Sequence, residues 1–128
     1  MRARFALQVS NTVCELREVV LRDKPQAMLD ASPKGTVPVL IKTDGEVIDE
    51  SIDVMLWSLK KSDPQHWLNP ERGKLDDMLA LIQEFDITFK PNLDRYKYPN
   101  RFDNVDPEPA RAEAAEYLQS ITASLDND

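Results

Sequence analysis

The residue types with the most chemical content fall in two stretches. The first is Ser32-Pro33-Lys34-Gly35-Thr36-Val37-Pro38-Val39-Leu40, and the second, shortly after it, is Asp49-Glu50-Ser51. The first is a Pro/Gly loop feeding an apolar run, the pattern of a loop that enters a buried strand. Pro38 inside that run removes a ladder donor, which puts it at an edge or an unusual bend. An X-Pro bond at such a bend is one of the few places where a cis peptide is expected. The bend leaves the amide and carbonyl of Val37 facing outward, where they can pair with an extended ligand. The second stretch sets a carboxylate and a hydroxyl at the start of a helix, where free amides and the dipole favour an anion. Together the two outline a site for a short peptide with a charged end.

Several elements must position these residues. Residues 2–10 read as a helix with Ala3, Ala6 and Leu7 on one face, closed by Ser10-Asn11. Residues 13–20 read as a strand with Leu16 and Val20 on the core face. Residues 25–31 form a short helix opened by Pro25 and burying Met28 and Leu29. Strands are expected at 37–42 and 46–48, joined by a tight turn at Thr43-Asp44-Gly45. Ser51–Lys61 reads as a helix whose Ile52, Met55, Leu56 and Leu59 keep helical spacing, stopped by Ser62-Asp63-Pro64. A linker over 65–72 follows. A longer helix then starts near Lys74, with Leu75, Met78, Leu79, Ile82, Phe85 and Phe89 in register. Pro91 should kink or end it. A last helix begins after Asp106 as N-cap, with Pro107 at its first position. Its stripe is Ala110, Ala114, Tyr117, Leu118, Ile121 and Leu125. Two such helices cannot cover each other and the preceding domain as well, so some apolar surface is expected to meet another chain.

The chain has 128 residues and a net charge of −7, with a sequence pI near 4.7. That balance argues against nucleic acid or an anionic membrane as partner. No apolar stretch approaches the roughly 20 residues that span a bilayer. Arg2 and Arg4 are followed by no apolar signal core. The single cysteine fits a reducing compartment, so a cytoplasmic location is expected.

Cys14 on its expected strand reads as a small buried hydrophobe. The competing reading is a reactive thiol, but no His or Lys adjoins it in sequence to lower its pKa. His66 has no second His or Cys nearby, so no metal site is expected. Asp76-Asp77 and Glu113 with Glu116 read as solvated helix faces. Arg95-Tyr96-Lys97-Tyr98-Pro99-Asn100-Arg101-Phe102 is the one basic stretch interleaved with aromatics. Such a mixture can bind single-stranded nucleic acid. In an acidic chain it reads instead as a helix end whose cations complement the dipole.

"SPKGTVPVL" followed by "GEVIDES" resembles the glutathione-binding signature of the glutathione S-transferases. The resemblance covers the first half strongly and continues more weakly to the end. It implies an incomplete thioredoxin-like α+β domain over 1–64. A partial all-α domain over 65–128 would follow, corresponding to the first helices of the family's C-terminal domain. In that family the residue before the cis-proline pairs with the cysteinyl backbone of glutathione, and a Glu-Ser or Gln-Ser pair holds its γ-glutamyl end. Carried over, these roles fall on Val37, Pro38, Glu50 and Ser51, with Lys34 and Thr36 on the same loop. The end of the corresponding helix borders the second-substrate cleft, which implies Tyr96, Tyr98 and Arg101 as contacts for a small electrophile.

Family members open with a strand and a turn carrying the catalytic Tyr, Ser or Cys. Met1-Arg2-Ala3-Arg4-Phe5-Ala6-Leu7 resembles instead the helix after that turn, so no residue of this chain takes the catalytic role. In the family the absent strand lies between the counterparts of 13–20 and 37–42. The gap is expected to be closed by pairing of those strands, by another chain, or by residues outside this sequence, and a homodimer is the expected form. Two functions follow: a glutathione-dependent transferase or reductase acting through glutathione's own thiolate, or a non-catalytic binding module of the same shape.

Overall fold

Small side chains govern how the first half packs. The computed structural model describes residues 1–103 and 106–126, with side chains described to residue 124. Backbone contacts separate two units, Met1–Glu71 and Arg72–Asp128. The first contains helix α1 (Arg2–Val9), helix α2 (Gln26–Ala31), strand β1 (Leu40–Ile41), strand β2 (Val47–Ile48) and helix α3 (Ser51–Lys61). It is therefore an α+β unit, and helices alone make up the second.

Helix α1 packs against α3. The buried faces are Ala3 and Ala6 on one helix and Val54, Ser58 and Leu59 on the other. The sequence pattern puts Ile52, Met55, Leu56 and Leu59 of α3 in the core. Only Leu59 of these is fully buried, and the other three are half-buried. The alanines of α1 let α3 approach closely along the Val54–Ser58 line, which leaves its larger side chains at the margins. Ser58 belongs there because its Oγ donates to the Met55 carbonyl at 2.9 Å, so no polar atom is stranded. Helix α1 ends as the Ser10-Asn11 pattern predicts. Asn11 takes φ +53°, Thr12 N–H reaches the Leu7 carbonyl and Asn11 N–H the Gln8 carbonyl, a left-handed cap that Asn tolerates.

The strand expected over 13–20 does not form. One isolated bridge joins Val20 to Asp23, and Val13, Leu16 and Val20 are exposed, Val13 at 97 %. A strand is held by its ladder, and no described segment lies alongside to complete one. Cys14, expected to be buried with it, is exposed too. An ion pair from Arg4 Nη2 to Glu18 Oε1 (2.9 Å) joins the segment to α1. The two strands of the hairpin also shrink, to Leu40–Ile41 against Val47–Ile48, antiparallel, because Pro38 cannot donate and the ladder starts after it. The turn is where Asp-Gly puts it: Gly45 N–H donates to Lys42 O at 3.0 Å, Asp44 Oδ1 accepts from Glu46 N–H at 3.0 Å, and Gly45 takes φ +87°. Lys42 pairs with Asp44 and Glu46 across it.

In the second unit, α4 (Leu75–Glu84) does not stop at Pro91. It continues through a π-helical turn, Phe85–Phe89, into α5 (Lys90–Lys97). Lys90 N–H donates to the Phe85 carbonyl, five residues back. The wider turn sits just before the residue that lacks a donor, the usual place for such a bulge to absorb a proline. Asn92 is buried and its Nδ2 donates to the Thr88 carbonyl at 3.2 Å. A short 3₁₀ turn, Pro99–Arg101, precedes α6 (Pro107–Asp126), whose second residue donates its N–H to Asp106 Oδ1 at 3.1 Å. Phe89, Ala114 and Tyr117 form the core, flanked by Phe85, Leu93 and Ile121. Phe85 and Phe89 ring centroids lie 4.6 Å apart. Of the expected α6 stripe, Ala110, Ala114 and Tyr117 are buried and Leu118 is 45 % exposed. The side chain of Leu125 lies outside the described residues. No helix among the described residues is long and apolar enough to cross a membrane.

The seam between α1 and α3 holds the start of α3 in place, so enlarging it should be felt throughout the first unit. Ala6 has 0 % exposure, and Ala6→Leu should lower stability by about 1–3 kcal/mol through overpacking. Urea denaturation checks this, and an unchanged midpoint would contradict the close seam.

Candidate functional site

The loop that follows α2 is shaped by its own residues. Ser32 ends α2 with its N–H on the Met28 carbonyl, and Gly35 N–H turns back to the Ser32 carbonyl at 3.1 Å. Gly35 is buried and takes φ +62°, a conformation that a side chain would strain. The Val37–Pro38 bond is cis, as the sequence pattern predicts. Val37 is 51 % exposed. Neither its N–H nor its C=O has a hydrogen-bond partner among the described residues. Thr36 is exposed on the same loop and Pro38 is half-buried.

Helix α3 begins immediately after β2 and a single intervening pair, Asp49-Glu50. Glu50 is its N-cap in extended conformation and accepts from Val54 N–H through its carbonyl at 3.0 Å. Its carboxylate makes no capping bond to the helix. Ser51 is the first helical residue, and the amides of the first turn have no acceptor within the helix. Asp53 in that turn and Lys60 and Lys61 in the last complement the dipole.

Loop and helix start are clasped by one carboxylate. Asp49 Oδ2 accepts from Ser32 Oγ at 2.6 Å, and Asp49 Oδ1 accepts from Lys34 Nζ at 3.0 Å. Lys34 Nζ also donates to Glu50 Oε1 at 2.7 Å. Ser32 is only 1 % exposed, so its hydroxyl is shielded where it meets the charge. The Ser32 hydroxyl, and after it the Lys34 ammonium, hold the Asp49 carboxyl below the usual aspartate range. Hydrogen bonds to Glu50 and then Asp49 raise the Lys34 ammonium above its ordinary value. Asp49 also lines an open depression of about 400 Å³ with Val47, Ile48, Asp53, Leu56 and Trp57.

Of the residues singled out in sequence, Lys34 and Glu50 are brought into contact, and Ser51 follows directly. Sequence reasoning did not single out Ser32 and Asp49 as site residues. Both lie within the two motif stretches, but their contact across 17 residues carries no local signal. In the second unit Arg101 lies over the Tyr98 ring at 4.2 Å, and Arg111 over that of Tyr96 at 6.0 Å. The basic residues Arg95 and Lys97 fall in the last turn of α5. His66 sits in a turn with φ +56°. Among the described residues no group of three or more His, Cys, Asp and Glu side chains is arranged to hold a metal ion.

Residues 1–66, just over half of the chain, match the N-terminal domain of the glutathione S-transferases. The chain belongs to the glutathione S-transferase family, with a thioredoxin-like N-terminal domain reduced here to a small sheet and its helices, and a helical C-terminal region. It is similar to the solved structure of a sphingomonad glutathione S-transferase complexed with glutathione. The TM-score is 0.66 and the identity 26 %, over 98 % of this chain and 63 % of that one. This chain thus spans less than two thirds of that relative's length. No curated protein sequence matches it.

Because the Asp49 carboxyl is depressed in the folded state, it adds stability above the unfolded value near 3.9. That contribution is lost as pH falls through the folded value. Ser32→Ala should raise the titration midpoint of Asp49 and move acid unfolding to higher pH. Carboxyl-carbon NMR over a pH series checks the midpoint. No movement would mean that the Ser32 hydroxyl does not hold the charge.

Proposed function

We propose that this chain binds glutathione through the loop at residues 34–38 and the start of α3. Val37 pairs its free amide and carbonyl with the cysteinyl backbone, next to Pro38, and Thr36 lines the same stretch of ligand. Glu50 accepts from the γ-glutamyl ammonium. Ser51 and the first-turn amides meet the γ-glutamyl carboxylate, and Lys34 lies beside them on Glu50 and Asp49. The observation that carries this reading is the contact of Lys34 with Glu50. It brings a cation of the loop and an anion of the helix start, 16 residues apart in sequence, to one point beside amides that lack acceptors. The carboxylate suits a ligand's ammonium, and the amides suit its carboxylate. The sphingomonad relative, solved with glutathione, supports it.

With its ligand held there, the protein to which this chain belongs is read as a cytoplasmic transferase toward small electrophiles. Glutathione's sulfur, as thiolate, forms a bond to the electrophilic carbon while the leaving group departs with its electron pair. The gain comes from lowering the thiol's pKa and from holding the two reactants together. Tyr96, Tyr98 and Arg101 are proposed to contact the electrophile, through aromatic faces and one guanidinium.

Glu50→Ala removes a charge-assisted bond worth about 1.5–3 kcal/mol. Titration calorimetry should show glutathione affinity falling about ten- to a hundred-fold, more than for any change at Tyr96, Tyr98 or Arg101. Equal affinity for wild type and variant would reject the assignment.

The protein is further proposed to be a homodimer. Val13, Leu16, Val20 and Leu21 are all more than half exposed, as is Ile41 on β1, and apolar surface gathered in one unit invites a partner. Light scattering should give twice the chain mass of 14.6 kDa. A stable monomer would contradict this.

A further inference from the structure

The carboxylate assigned to the ligand's ammonium already holds a cation. Lys34 Nζ lies 2.7 Å from Glu50 Oε1 and 3.0 Å from Asp49 Oδ1. The other oxygen of Asp49 is fixed by the buried Ser32 hydroxyl, so Asp49 is a rigid anchor. Glu50 is the looser partner, its side chain 62 % exposed against 25 % for Asp49. An ammonium arriving at Glu50 would stand beside another ammonium, and like charges at that spacing repel. The Lys34 side chain is half exposed on a flexible four-carbon stem, and it can give up Glu50 while keeping Asp49.

We infer that Lys34 is an internal competitor for Glu50, a built-in cation that the γ-glutamyl ammonium must displace onto Asp49, so that Lys34 restrains affinity for ligands that carry an ammonium. The inference rests on the glutathione reading above. Once displaced, Lys34 keeps its ion pair with Asp49. A ligand with the anion alone would find Lys34 already neutralised. The rise of the Lys34 ammonium above its ordinary value, owed first to Glu50 and then to Asp49, agrees with a cation held by both.

The test compares glutathione with N-acetylglutathione, which lacks the ammonium, on wild type and on Lys34→Met by titration calorimetry. An exposed ion pair contributes little, so Lys34→Met should bind glutathione about two- to five-fold more tightly. N-acetylglutathione should gain nothing. Lys34→Gln, which keeps a donor without the charge, should move in the same direction, and thermal melts of both variants establish that they fold. Glutathione binding that is unchanged or weaker in both variants would overturn the inference, because Lys34 would then be a plain anchor for a ligand carboxylate. Equal tightening of both ligands would overturn it as well. In either case the glutathione reading stands if Glu50→Ala still weakens the wild-type complex. Wild type that binds no glutathione overturns both.

Discussion

The first unit depends on where the Asp49 carboxylate sits. It takes a hydrogen bond from a buried serine at the end of α2 and an ion pair from a lysine in the following loop. Its own backbone leads directly into the cap of α3. Two segments, residues 32–34 and residues 49–50, are thereby brought to one point across 15 to 17 residues of sequence. A shielded hydroxyl donating to a charged acceptor is stronger than a neutral pair, whereas the exposed Lys34 contacts are of the weak surface kind. Rigidity on the Ser32 side and looseness on the Lys34 side give a fixed scaffold with one movable charge.

That clasp is useful only if α3 stays in place, which falls to the alanine and serine seam with α1. A seam of small residues fixes the distance between two helices more tightly than long side chains, which can repack. The unit contributes no deep apolar core beyond this. Its two-stranded hairpin is short, and the segment between Thr12 and Val20 makes no ladder. The backbone around Val37 is left with unsatisfied polar groups at the surface, a property suited to binding an extended peptide and poorly suited to a closed sheet.

Much of this was legible from residue types. The Pro/Gly loop, the cis bond at Pro38, the Asp-Gly turn, the limits of α3 and the Asp106 cap all follow from local chemistry that a sequence displays directly. What failed needed a neighbour. An alternating segment at 13–20 has strand character, but strand character without a partner ladder gives an exposed irregular chain, and Cys14 goes with it. The buried face of α3 was misplaced because its depth is set by the alanines of α1, a fact about another element. Pro91, expected to kink or end its helix, is met by a π turn just before it, and the Asn92 amide carries the chain on into α5. In the site, Lys34, Glu50 and Ser51 stood out by motif, whereas the part that Ser32 and Asp49 play, in joining the two stretches, became visible only once the chain folded back on itself.

The central claim is that glutathione lies across the loop and the start of α3. Amide chemical-shift mapping of the isotope-labelled protein during a glutathione titration tests it most directly. The account predicts saturable shifts concentrated at Lys34, Gly35, Thr36, Val37 and at Glu50, Ser51, Ile52 and Asp53. Saturable shifts centred elsewhere, or none at millimolar ligand, would contradict it.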